Sequence, residues 1–142
     1  MHLIVYTSQY TGEIDYINKV LSDISRTAKS NNIKYGITGL LFYHNNYFVQ
    51  VIESERDALE ELMSVLENDP RHKNIERIVD EETKKRKFSD WNMDSFNLSE
   101  EDKIDPVELK KILDAYRTVL KVDAKSLVGF FKVMIGSRAD IS

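Results

Sequence analysis

The chain has 142 residues, 42% of them apolar and 31% charged, with a net charge of −4 and no cysteine. Its length suits one domain with a small C-terminal extension. The mild acidity speaks against nucleic acid as a partner, because phosphate binding needs a positive field. The missing thiol removes disulfides, thiolate catalysis, thiolate metal sites and any cysteine-linked chromophore. The opening MHLIVYTSQY has too short an apolar run, and no small-residue cleavage site, for a signal peptide. No stretch approaches the ~20 apolar residues that cross a bilayer, so no membrane partner and a cytoplasmic location are expected.

Residues 3–7 (LIVYT) are apolar and β-branched and read as a central strand with Tyr6 at its end. Thr11-Gly12 breaks it. Ile14, Ile17, Leu21, Ile24 and Ala28 recur every three or four residues, which predicts an amphipathic helix over 13–30. Asn31-Asn32 ends it, since Asn tolerates left-handed geometry. Residues 38–43 and 47–53 form a strand pair around a two-residue Asn45-Asn46 turn. Ser54 is placed to cap a second helix over 55–67, striped by Ala58, Leu59, Leu62, Val65 and Leu66. Asn68-Asp69-Pro70 stops that helix. Residues 75–79 read as a strand, 84–87 (KKRK) as an exposed turn, and 91–96 as the last strand. Alternation puts Trp91, Met93 and Ser95 on one face of it.

The order βαββαββ predicts a ferredoxin-like α+β sandwich with both helices on one face of the sheet. Composition shifts after residue 98, which divides the chain into a domain over 1–98 and an extension over 99–142. Beyond the polar Glu100-Glu101-Asp102, apolar stripes predict two more helices, over 106–120 and 127–135. Neither is long enough to be stable alone. They must pack on the free face of the sheet, on each other or on another subunit, and the stripes point to a homo-oligomer or a complex with another protein.

There is no GxGxxG, no P-loop and no visible catalytic triad, and His2, His44 and His72 lack metal-ligand spacing, so no metal site is expected. What stands out is a polar residue on a strand. Gln50 sits between Val49 and Val51. A buried amide costs ~1–3 kcal/mol unless its donor and acceptor ends are both paired. Gln50 therefore faces solvent or something that matches an amide. Strands 1 and 3 are central neighbours in a ferredoxin-like sheet, so Tyr6 and Gln50 meet under the helices if the registers agree. They would then line a slot between those helices. Asn31 and Asn32 lie at its mouth, where Asn32 could donate and accept at the edge of a flat heterocycle. The alternative is a satisfied Tyr6–Gln50 pair in an ordinary core.

Five segments in order, LIVYTSQ, NNIKYGITGLLFY, FVQVIE, NDPRH and FSDWNM, resemble the BLUF family, the sensors of blue light using FAD. The resemblance covers about residues 3–96, and its strength lies in the set rather than in any one segment. It implies an isoalloxazine ring between the two helices, with FAD as the cofactor and FMN possible. Tyr6 then resembles the family tyrosine, and Gln50 the glutamine between it and the flavin. Asn32 resembles the asparagine on the pyrimidine edge, with Asn31 beside it. Arg71 and His72 match the Arg-His pair after the second helix, and Ser8 the serine two places after the tyrosine. Trp91 and Met93 match the pair on the last strand, and Ile24 joins the flavin-contacting set. One departure is Ser54, where the family often has Gly.

The resemblance further implies a light switch without substrate turnover. Tyr6 would give an electron, and its proton would pass through Gln50 toward flavin N5. The amide would be left rotated or tautomerised, with a new hydrogen bond to flavin O4 and a slightly red-shifted absorption. No effector domain follows in this chain, so the output would pass through contacts with another protein, as yet unidentified. Two rival readings remain at this point. One is a flavin-binding protein without photochemistry, or a small flavin enzyme; the other is a ferredoxin-like interaction domain without a ligand.

Overall fold

The structure is a computed structural model that describes residues 1–89, 91–97 and 107. Among the described residues, five strands and two α-helices follow one another as β1 (His2–Tyr10), a 3-10 turn (Ile14–Tyr16), α1 (Ile17–Tyr35), β2 (Thr38–His44), β3 (Tyr47–Ser54), α2 (Arg56–Glu67), β4 (His72–Glu82) and β5 (Asn92–Asn97). The predicted C-terminal helices, over 106–120 and 127–135, lie outside the described residues.

The strands form one sheet in the order β4-β1-β3-β2-β5, antiparallel except where β5 runs parallel to β2. The first four have the ferredoxin-like order, which makes β1 and β3 neighbours at the centre. Alternate residues of the central strands, among them Ile4, Tyr6, Leu41, Tyr43, Phe48 and Ile52, share one buried cluster with Ile17 and Leu21 of α1 and Leu59 and Met63 of α2. Both helices therefore lie on the same face. Burying these side chains supplies roughly 1.5–3 kcal/mol apiece, before the entropy of ordering them is subtracted.

Several local expectations are corrected. Tyr6 lies in the middle of β1, not at its end. Asn31-Asn32 does not stop α1, which runs on to Tyr35. The stop is Gly36, at φ +63, in the left-handed position that ends a helix without a Cβ clash. Ser54 does not cap α2. It is the last residue of β3, and its hydroxyl donates to the carbonyl of Tyr35 at 3.0 Å, closing the C-terminus of α1 instead. Glu55 takes the N-cap position of α2, without a side-chain hydrogen bond. The Asn45-Asn46 turn is as expected: both residues have positive φ, +48 and +72, the signature of a type I′ hairpin.

Candidate functional site

Tyr6 on β1 and Gln50 on β3 face each other directly in the antiparallel register. Only 2% and 4% of their surfaces are exposed. The Tyr6 hydroxyl donates to Gln50 Oε1. The other end of the amide, Nε2, donates to the Sδ of Met93 at 3.0 Å. A thioether has no hydrogen to give, so it must face the NH2 end, and the phenol is left with the carbonyl end. This is how β3 tolerates an amide in its apolar run. Burial, with a smaller contribution from the Asp69 charge, pushes the Tyr6 pKa far above the usual phenol value. The phenol stays protonated at any ordinary pH.

Met93 reaches Gln50 through an irregularity. Gly39 pairs with Asn92, but Leu40 pairs with Asp94, so β5 carries one extra residue. Met93 is that residue, at φ +58. A β-bulge of this kind re-aims a side chain, and a non-glycine residue held there costs ~1–2 kcal/mol that its surroundings must offset. Ser25 of α1 helps, donating its hydroxyl to the Met93 carbonyl at 2.8 Å. The bulge also breaks the alternation that placed Trp91 with Met93. Trp91 packs on Phe88, ring centroids 6.0 Å apart, outside the helix-side cluster that holds Met93.

The start of β4 supplies the next groups. His72 Nε2 donates to the Leu66 carbonyl at 2.6 Å, and Nδ1 is hydrogen-bonded to Ser8 Oγ at 2.7 Å. Its ring stands edge-on to Tyr6 and Phe48, with centroids 6.2 and 6.3 Å away. Arg71 turns back onto Asp69, its Nε lying 2.9 and 3.0 Å from the two carboxylate oxygens. That hydrogen bond holds the Asp69 carboxyl below its usual range and raises the Arg71 guanidinium.

These side chains surround one cavity, lined by Tyr6, Ile24, Leu41, Phe48, Gln50, Leu66, Asp69, Arg71 and His72. Ile24 comes from α1 and Leu66 from α2, so the cavity opens between the helices, with the sheet as its floor. A second cavity in the same interhelical groove is lined by Asn31, Tyr35 and Ile37 on one side and Ala58, Glu61, Leu62 and Val65 on the other. The structure thus gathers Tyr6, Gln50, Met93, Ile24, Arg71, His72 and Ser8 in and around one slot. Asn31 lies along the same groove, and Trp91 stands apart. Asn32 shares the turn of α1 with Asn31, and its side chain lies outside the described ones.

Asp69 and Ser25 were not singled out from sequence. Asp69 lies in the NDPRH segment and read only as part of a helix stop. Ser25 carries no local signal, because its partner is 68 residues away. Apolar walls, a floor holding a phenol and an amide, and a guanidinium at the rim fit a flat heterocycle with a polar edge. A flavin has that form.

Residues 1–94 match the family described as BLUF, sensors of blue-light using FAD. The chain belongs to the BLUF family. Over 93 residues it is 33% identical to the photoactivated adenylate cyclase subunit beta of Euglena longa, covering 65% of this chain and 11% of that protein. Over 80 residues it is 25% identical to the blue light- and temperature-regulated antirepressor BluF of Escherichia coli, covering 56% of this chain and 20% of that one. The chain thus spans about a tenth of the length of its cyclase relative. Among solved structures it is similar to BlrB, a BLUF protein in its dark state, with TM-score 0.65, 28% identity and 96% of each chain covered. It is also similar to the Klebsiella pneumoniae protein BlrP1 with FMN and cyclic diGMP, with TM-score 0.63, 29% identity, and 70% of this chain and 26% of that chain covered.

The BLUF part of the chain is therefore a flavin-binding sensor of blue light. Among the described residues, no group of three or more His, Asp or Glu could hold a metal ion. No described helix is long and apolar enough to cross a membrane.

Proposed function

We propose that this BLUF protein is a light switch whose moving part is the Gln50 amide, and that it signals by contacts with another protein rather than by chemistry of its own. The observation that carries the reading is the chain Tyr6–Gln50–Met93, in which both ends of a buried amide are used. Bound flavin would supply the absorption of blue light and an electron acceptor beside Tyr6. The residues of this chain do the rest. Tyr6 is a buried phenol that keeps its proton in the dark and becomes strongly acidic only on losing an electron. Gln50 already accepts from that hydroxyl, so it is the first stop for the proton. An amide has a donor end and an acceptor end, and rotation or tautomerism exchanges what it offers to each side. The rotated form turns its oxygen to Met93 and offers it no hydrogen, and the tautomer keeps one N–H there instead of two, so the hold on the β5 bulge changes in either case. A local hydrogen-bond change thereby biases a packing element.

Ile24 and Leu66 would hold the ring between α1 and α2, Asn31 and Asn32 its polar edge, and Arg71 an anionic group at the rim. His72, braced by Ser8 and Leu66, would keep the wall beside Tyr6 in place. FAD is the proposed cofactor, on the family's description, with FMN as the alternative. We further assign 1–98 to the flavin domain and 99–142 to the output segment, with a cytoplasmic location and a homo-oligomer or partner complex as the signalling form. Nucleic acid and membrane are not among the proposed partners.

The test is the cofactor and its response together. The purified chain should be yellow, release FAD on denaturation, and show a small reversible red shift under blue light. A colourless protein that takes up neither FAD nor FMN would overturn the proposal. Light scattering in the dark and during illumination should show the oligomeric state or partner affinity changing; an unchanged state with every candidate partner would refute output by contact.

A further inference from the structure

Gln50 is not the only polar side chain buried on β3. Three residues on, and on the opposite face by alternation, Glu53 is 1% exposed. A carboxylate so deep must be matched by donors. Its Oε1 accepts from the Thr38 hydroxyl at 2.9 Å and from the Phe88 backbone N–H at 2.6 Å, and its Oε2 accepts from the Lys87 backbone N–H at 2.9 Å. Two of the three donors are thus main-chain groups of the segment between β4 and β5. Arg86 adds to the same knot, donating to Thr38 Oγ1 at 2.8 Å and to the Glu53 carbonyl at 3.0 Å.

That segment leads straight to the switch. The Phe88 carbonyl accepts from Trp91 N–H at 3.1 Å, and the Trp91 carbonyl accepts from Gly39 N–H at 3.0 Å. One residue later the bulge begins, and Met93 turns its sulfur to Gln50. Glu53 and Gln50 therefore grip the same incoming strand from the two faces of β3. Glu53 holds the approach at residues 87–88, and Gln50 meets the bulge at Met93. A left-handed Met is sustained only while its surroundings over-determine it.

We infer that Glu53 is a positioning residue for the light switch, its carboxylate fixing the register in which β5 enters and so keeping the Met93 sulfur on the Gln50 amide. The consequence for signalling rests on the switch proposed above, whereas the hold on residues 87–93 does not.

Glu53→Gln tests it. The substitution keeps size and shape but turns one acceptor oxygen into an NH2 that faces donors. Trp91 is the chain's single tryptophan, so its fluorescence in the flavin-free full chain reports its contact with Phe88 directly. The emission should move to longer wavelength, acrylamide quenching should rise, and the Met93 methyl resonance should shift. In the flavin-loaded chain the dark recovery rate should change about tenfold, equivalent to ~1.4 kcal/mol. A Met93→Leu background should abolish that change, since the effect runs through the sulfur. Loss of thermal stability with Trp91 emission and the Met93 methyl unmoved would overturn the inference, as would a recovery effect that survives in Met93→Leu. If Glu53→Gln does not fold, Thr38→Val removes one of the three hydrogen bonds and should move both readouts in the same direction by less. No movement there also overturns it. If the unsubstituted chain shows no light response, the switch reading fails, and the flavin-free emission and methyl data still decide whether Glu53 holds Met93.

Discussion

The amide of Gln50 is the residue on which the others depend. Alternation along β3 marks it as misplaced in an apolar run, and that much can be read from the sequence. Its partner Tyr6 also follows, once the strand order is deduced. The resemblance names Met93 beside Trp91, but which of the two meets the amide does not follow, nor does the Ser25 hydroxyl, because a bulge is decided by non-local packing and no periodicity announces it. Two predictions belong here. Tyr6→Phe keeps ring volume and should fold with a loss of ~1 kcal/mol, bind flavin and lose the light-induced shift. Denaturant titration and difference absorbance measure the two effects. The second concerns pH. Because burial raises the Tyr6 pKa, the neutral phenol contributes stability that is complete below the usual phenol value of about 10, and is lost only at higher pH as unfolded tyrosine ionises first. The light response should therefore show no tyrosine titration between about pH 6 and 9; a step there in a pH series would contradict the assignment.

Among the elements, helix and strand identities followed from periodicity, while their ends did not. Asn31-Asn32 resembles a helix stop, yet α1 continues for one more turn because Gly36 offers a better left-handed position and Ser54 takes the Tyr35 carbonyl. Ser54 resembles a cap for the helix after it and serves the helix before it, since β3 delivers it to that end. The β2 entry has a similar tertiary constraint at Gly39, where φ is +154 and a Cβ would fall 1.9 Å from the Val51 carbonyl oxygen. Gly39→Ala should destabilise the protein by about 3 kcal/mol or more and disturb β5, whose register Gly39 helps to set. A urea midpoint close to that of the unsubstituted protein would refute this.

Across the whole molecule, the exposed edge strand β4 is tied down by charge. Arg77 bridges Glu60 of α2 at 2.8 Å and Asp80 on its own strand at 2.8 Å, and Asp80 also pairs with His2 of β1. The hydrogen bond from Arg77 holds Glu60 below its usual range, and those from His2 and then Arg77 do the same for Asp80. A depressed carboxylate contributes stability that is present above its unfolded pKa and is lost as pH falls through the folded one. Tm should therefore be flat near neutrality and decline below about pH 4. Glu60→Gln should make that decline shallower by only a little, since partly exposed pairs are weak. The sandwich itself was readable because two helical stripes and alternating strands admit few arrangements of this length.

The most direct test of the central claim is the light-minus-dark visible spectrum of the full chain beside its Gln50→Leu variant, each with the same flavin bound. The account predicts a reversible red shift in the first and none in the second, whereas an equal shift in both would contradict it.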